Sequence, residues 1–319
     1  MITIDGGILE GGGQIIRTAV ALAAVSGEPV TIRNIRKNRS IPGLAAQHVA
    51  AVKAAAAISN ASTEGVVIGS GEIAFIPGKP ERKQSTIDIG TAGSIPLVLS
   101  AWLPLALQTG GSITITGGTE VRAAPTIDYC DCVFLEYLRS HGGRISLEIL
   151  SRGYFPEGGG IVRVMVEPSR IAPLCTGGST RSGIISATSG LPEDVASRQA
   201  EAAASVAGDL PVHIYRQNRP SVGSSCTVFS GGHGGSALGR RGLPAEAVGR
   251  MAAESFLQGH SSDLDPHAAD QLLPYLALYG GSYGTKELTS HAMTVISLLG
   301  HFGHSISVSR KEGCVEVSV

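Results

Sequence analysis

The sequence predicts a mixed α/β (α+β) fold assembled from a repeated unit, and three observations carry that prediction. The chain repeats itself, glycines fall where its helices should end, and its apolar residues switch between helical spacing and strand alternation. Leu22 to Pro42 (LAAVSGEPVTIRNIRKNRSIP) aligns without a gap on Leu105 to Pro125 (LALQTGGSITITGGTEVRAAP). Leu22, Gly27, Thr31, Ile32, Arg39 and Pro42 then fall on Leu105, Gly110, Thr114, Ile115, Arg122 and Pro125.

Taken in order, each copy reads as a helix closed by glycine, a strand of alternating residues, a loop ending in proline, and a second helix. The second helices are GLAAQHVAAVKAAAAIS and TIDYCDCVFLEYLRSHGG. A looser third copy runs from Leu276 to Ser309 and places His291 where the proline loops give way to their second helices. Units of this size cannot bury their apolar faces alone and should pack around a shared axis. The expectation is a large domain of three two-helix/four-strand units over 1–174 and 260–319. Between 175 and 259 the pattern changes. CTGGSTRSGIISATSG, an alanine-rich helix near Glu193 to Ala207, PVHIY, SGGHGGSALG and AEAVGRMAAESFLQG read as a small α/β domain inserted before the third unit.

Composition narrows the function classes. With 319 residues, 43% of them hydrophobic, a sizeable core is expected, and Gly 43 against six Phe and one Trp implies small-residue packing. Lys and Arg number 25 against 26 acids, a net charge of −1, so no global field drives the chain onto nucleic acid and any anion site must be local. The five cysteines are scattered and support neither a zinc site nor a disulfide framework. MITIDGG has no basic segment followed by an apolar one, which makes the cytoplasm the expected location. Ile89 to Thr119 carries no charge, yet Pro96, Pro104 and Gly110-Gly111 interrupt it. It reads as a buried helix and a strand rather than a membrane span.

Three stretches bear chemistry. EGGGQIIRT (Glu10 to Thr18) is a glycine-rich turn feeding a helix, the arrangement that offers backbone N–H groups to phosphate. It lacks the spacing and lysine of a Walker A loop, and a plain tight turn is the competing reading. Glu10 supplies a carboxylate suited to Mg²⁺ or Mn²⁺ carried by phosphates. The loop RNIRKNRSIPGL gathers Arg33, Arg36, Lys37 and Arg39, with no acid from Pro29 to Thr63; it is either a local anion site or a solvated basic loop. In LTSHAMTVISLLG, His291 follows Thr289 and Ser290 into the first turn of a helix. The field there disfavours protonation and leaves a ring nitrogen free as acceptor, ligand or nucleophile.

RGYFPEGGGIV (Arg152 to Val162) is by itself a glycine-rich turn between strands. Together with EGGGQ, the IRxxRxxPGL loop and GGTxxxxAP it resembles the RNA 3′-terminal phosphate cyclase family. The resemblance runs from Asp5 to about Pro168 and resumes at Asp263. It implies the large three-unit domain and its insertion, and an enzyme using ATP with Mg²⁺ or Mn²⁺ on RNA bearing a 3′-phosphate. In that family a histidine takes AMP from ATP, passes it to the RNA 3′-phosphate, and the neighbouring 2′-hydroxyl displaces it to leave a 2′,3′-cyclic phosphate. Carried over position by position, His291 is the nucleophile and Glu10 a metal ligand. Arg17, Arg36, Arg39 and Gln47 line the phosphate site, and Ser100, His267, Asp270 and Gln271 lie at the nucleotide. Ser100 and His267 depart from the family, which often has glutamine and tyrosine there, and Asp270 could instead cap the QLLPYLAL helix. His48 is the next nucleophile should His291 not serve. A non-catalytic RNA-binding assembly factor and an enolpyruvyl-transferase-like enzyme are the alternative readings. No membrane contact is expected, and a homodimer is left open.

Overall fold

The computed structural model describes residues 1–9, 11–177, 179–218, 221–259, 262–311 and 313–319. The first unit contains β1 (Ile2–Asp5), α1 (Gly13–Ser26), β2 (Val30–Arg33), α2 (Ala46–Ser59), β3 (Ser62–Glu64) and β4 (Ile73–Ile76). The second contains β5 (Lys83–Asp88), α3 (Ile95–Thr109), β6 (Gly111–Gly117), α4 (Ile127–Tyr129), a π-helical turn (Cys130–Leu135), α5 (Glu136–Ser140), β7 (Arg144–Ser151) and β8 (Gly160–Glu167). Their sheets have one topology, β1-β2-β4-β3 and β5-β6-β8-β7. In both, the first two strands run parallel across a helical crossover, and the remaining pairs are antiparallel.

The residues that the repeat aligns do the same work. Gly27 and Gly110 close α1 and α3 at φ +76° and +73°, where a side chain would be strained, and Gly280 closes the corresponding helix of the third unit at +75°. Within the apolar run, Pro96 lies at the start of α3 and Gly110 ends it, but Pro104 sits inside the helix without terminating it. The helix is enclosed on nearly every side, with Trp102 fully buried. None of the described helices is long and apolar enough to cross a membrane.

A separate sheet follows: β9 (Ser182–Ser189), α6 (Asp194–Ala207), β10 (Val212–Gln217), β11 (Gly223–Ser230), β12 (His233–Leu238) and α7 (Ala245–Gln258), in the order β10-β9-β11-β12. Ile184, Cys226, Val228, Val248 and Phe256 form a cluster of their own, whereas Ile185 and Phe229 join the main core. Alternate residues of this sheet thus face two different cores.

The third unit contains α8 (Pro266–Tyr279), β13 (Ser282–Thr285), α9 (Ser290–His301), β14 (Ser307–Lys311) and β15 (Cys314–Ser318), with sheet order β13-β15-β14. Among the described residues this sheet has three strands rather than four. Its leading position is held by two isolated parallel bridges, Leu174 to Gly281 and Leu264 to Thr285. Leu174 precedes the intervening sheet and Leu264 follows it, so the intervening chain leaves and re-enters where a first strand would otherwise run.

Candidate active site at the start of helix α1

Helix α1 opens on glycine. Gly12 is its N-cap and no side chain caps it, so the positive end of the helix is open to an anion. The preceding turn is sewn to the basic loop. Asp5 accepts from the Gly7 N–H at 2.9 Å and from Asn34 at 3.2 Å, while Asn38 donates to the Gly7 carbonyl at 3.2 Å.

Two of the four loop cations are engaged there. Lys37 pairs with Asp5 at 3.6 Å, and Arg33 pairs with Glu72 at 3.1 Å. Arg36 holds the loop's shape, donating to the Gly43 carbonyl at 2.9 Å from a backbone at φ +53°. Partial burial and neighbouring Arg39 both depress its pKa. Arg39 turns to the glycines: a methyl on Gly12 would collide with Gln14 Oε1 and lie 3.4 Å from Arg39 Nη2.

The next residue makes the same point more sharply. A methyl on Gly13 would collide with His48 Nε2 and lie 2.9 Å from Arg17 Nη1. Arg17 has no acidic partner among the described residues, and burial pulls its guanidinium down to about 10. Half-buried, it stays charged at neutral pH with no counter-charge among those residues, an arrangement whose cost an anion would remove. His48 is 3% exposed and is the third residue of α2, where its Nδ1 accepts the N–H of the N-cap residue Ala45 at 3.0 Å. Burial, then Arg17 and Arg36, push the imidazole pKa down to about 3.

His291 reaches this cluster from the far end of the chain. Thr289 is the N-cap of α9, and its Oγ1 accepts from the Ala292 N–H at 3.1 Å. The same hydroxyl donates to Asp270 Oδ2 at 2.6 Å, so α8 fixes the start of the helix that bears the histidine. His291 Nδ1 lies 2.8 Å from Gln14 Nε2 across 277 residues of sequence. Gln14, Arg17, Arg39, His48 and His291 thus surround one turn.

The remaining predicted positions divide. Asp270 is no helix cap: Asp265 caps α8, accepting from the N–H groups of His267 and Ala268, and Asp270 lies mid-helix against Thr289. His267 and Gln271 sit one turn apart on α8, with Gln271 Nε2 donating to the His267 carbonyl at 3.1 Å. Gln47 accepts from the Ser94 N–H at 3.1 Å and so ties α2 to the N-cap of α3. Ser100, on α3, donates to the Leu97 carbonyl at 2.8 Å. Glu10 lies outside the described residues, and among those described no group of three or more His, Cys, Asp or Glu gathers as a metal site.

Sequence reasoning missed one member, Gln14, which was legible only as the residue after three glycines; His48, named there as the next nucleophile after His291, lies in the same cluster. Arg152, from the most distinctive motif, belongs elsewhere. It is buried between Asp128, at 2.6 and 2.7 Å, and Glu120, at 2.8 Å, with the Tyr215 ring 5.4 Å away.

The RNA 3′-terminal phosphate cyclase family model matches residues 8–306. The chain belongs to that family. It is 44% identical to the RNA 3′-terminal phosphate cyclase of Methanococcoides burtonii over the full length of both chains. Identity to the protein so named in Archaeoglobus fulgidus is 45%, covering 91% of this chain and 92% of the relative. A bacterial relative from Nitrosospira multiformis is 43% identical over 95% of this chain and 91% of its own. The chain is accordingly an enzyme of the cyclase family, and the motifs that resembled the family lie around α1, in the basic loop and at the Arg152 turn.

Proposed function

We propose that this enzyme uses ATP to convert an RNA 3′-terminal phosphate into a 2′,3′-cyclic phosphate, with His291 carrying AMP between the two substrates. The observation that supports it is the gathering of His291, Gln14, Arg17, Arg39 and His48 around a helix start whose N-cap is glycine, where a half-buried arginine has no acidic partner among the described residues. Phosphate is the anion that this set suits: backbone N–H groups, a helix dipole and two guanidinium groups face the same turn.

In the first step an imidazole nitrogen of His291 attacks the α-phosphorus of ATP, a P–N bond forms, and the bond to pyrophosphate breaks. Arg17 and Arg39 stabilise the charge on the departing phosphates. An oxygen of the RNA 3′-phosphate then attacks the same phosphorus and returns the imidazole. Finally the adjacent 2′-hydroxyl attacks the 3′-phosphorus, loses its proton and expels AMP, a step made fast by proximity. Arg36 and Gln47 help seat the phosphates, and Ser100, His267, Asp270 and Gln271 receive the nucleoside. A Mg²⁺ or Mn²⁺ ion would neutralise phosphate charge, with Glu10 as the carboxylate that holds it. We place the large domain at 1–174 and 260–319 and the inserted domain at 175–259, the latter beside the site rather than in it. A cytoplasmic location and a possible homodimer remain part of this reading.

The test is to incubate the protein with α-labelled ATP and either metal, denature it and map the label by peptide. Acid-labile, alkali-stable label on the peptide holding His291, lost in His291→Ala, is the expected result. Label on another peptide, or none with either metal, would overturn the assignment.

A further inference from the structure

The buried histidine beside the site has a role that its hydrogen bonds define. A backbone amide can only donate, so His48 Nδ1, bonded to the Ala45 N–H at 3.0 Å, must be the acceptor nitrogen. In the neutral ring the proton then resides on Nε2. That atom faces Gly13 and Arg17, and it has no hydrogen-bond partner among the described residues. The ring is 3% exposed.

Resting on the function proposed above, we propose that His48 is a phosphate-binding residue, donating Nε2–H to a phosphate oxygen of ATP seated between the Gly12–Gly13 turn and Arg17. The Ala45 amide fixes the tautomer that makes it a donor. It cannot serve as a nucleophile, because one nitrogen's lone pair is engaged and the other nitrogen bears the proton.

The design has a physical logic. Arg17 on α1 and Arg36 in the basic loop are the charged groups facing the ring, and both oppose a third positive charge. A neutral donor adds a directed hydrogen bond without that repulsion. It also keeps the donor constant across the range where an ordinary histidine would switch, since the ring's pKa lies at about 3. Gly13 is required because any side chain there would fill the space between Nε2 and the anion.

Two measurements test this. Long-range ¹H–¹⁵N spectra of histidine-labelled protein should show His48 as the pure Nε2–H tautomer, unchanged between about pH 5 and 8. A ring that titrates in that range, or carries its proton on Nδ1, overturns the proposal. ATP affinity is then measured in a His291→Ala background, where no adduct forms. His48→Asn keeps an acceptor for Ala45 but loses the distal donor, and should weaken ATP binding roughly tenfold, the worth of one hydrogen bond. His48→Gln restores an N–H near the Nε2 position and should stay within about threefold of the parent. In the His291-intact protein, His48→Asn should raise the KM for ATP and leave the adenylylation rate at saturation nearly unchanged. ATP binding indifferent to His48→Asn overturns this proposal alone; no ATP binding by the parent overturns the proposed function with it.

Discussion

Two arginines, one buried and one half-buried, divide the molecule. Arg152 is clamped by two carboxylates: burial disfavours its charge, but Asp128 and then Glu120 outweigh that and hold its pKa above the ordinary value. Arg17 is half-buried with no acidic partner among the described residues, and desolvation alone lowers it to about 10. The first has its charge balanced without any ligand. It joins the β7–β8 turn to α4, while its backbone exchanges hydrogen bonds with Gln217 of β10. The second has no such partner among the described residues, and in the proposed function a substrate phosphate supplies the balancing charge. Motif prominence did not separate them, since Arg152 opens the more distinctive string. Partners did.

The comparison can be broken most forcefully at Arg152. Arg152→Ala leaves Asp128 and Glu120 buried without a counter-charge and should cost about 3–5 kcal/mol in chemical denaturation. The triple variant carrying Glu120→Gln and Asp128→Asn as well should recover much of that loss. If Arg152→Ala unfolds at the wild-type denaturant concentration, the clamp is not what holds the two parts together.

Gly13→Ala comes next. The added methyl collides with His48 and crowds Arg17, an overpacking expected to cost about 1–3 kcal/mol in the thermal midpoint and to abolish adduct formation. Gly12→Ala meets the movable end of Gln14 and should be milder in both measurements.

The pH dependence distinguishes the two regions by sign. His48 is depressed to about 3 when folded, so below its ordinary value of about 6.5 the unfolded chain takes up a proton that the native protein refuses. Stability from this site falls by about 1.4 kcal/mol per pH unit as pH drops from about 6.5 towards 3. Glu120 is shifted upward, first by burial and against the pull of Arg152, because two carboxylates share one guanidinium. The native protein then keeps a proton that the unfolded chain has released, so this term loses stability as pH rises above the ordinary carboxyl value of 4.5. Denaturation across pH should therefore show His48→Gln flattening the acid side and Glu120→Gln the neutral side. Identical curves for either variant and the wild type would remove that variant's residue from the account.

The smallest stability effect belongs to Arg17. Arg17→Met removes a charge that no acid among the described residues balances, and should leave the unfolding free energy within about 0.5 kcal/mol or raise it. Its adduct formation, by contrast, should fall at least as far as that of any other arginine variant. A large stability loss with intact adduct formation would place Arg17 with Arg152 as a structural residue.

The sequence by itself determined what short stretches decide. Gly27 and Gly110 end helices because only glycine takes the left-handed backbone cheaply, and an alternating run makes a strand wherever it lies. The repeat, the uncapped glycine entry to α1 and the placement of His291 in a first helical turn were legible for that reason. So was the basic loop, as a composition. The tertiary structure alone decided which of its cations face Asp5 and Glu72 and which faces Gly12, because pairing depends on strands and turns distant in sequence. It also brought Gln14 to His291, set Arg152 among acids and Arg17 beside none of the described ones, and enclosed His48 so that it stays neutral. Charge state and role depend on desolvation and on neighbours, and a linear pattern specifies neither.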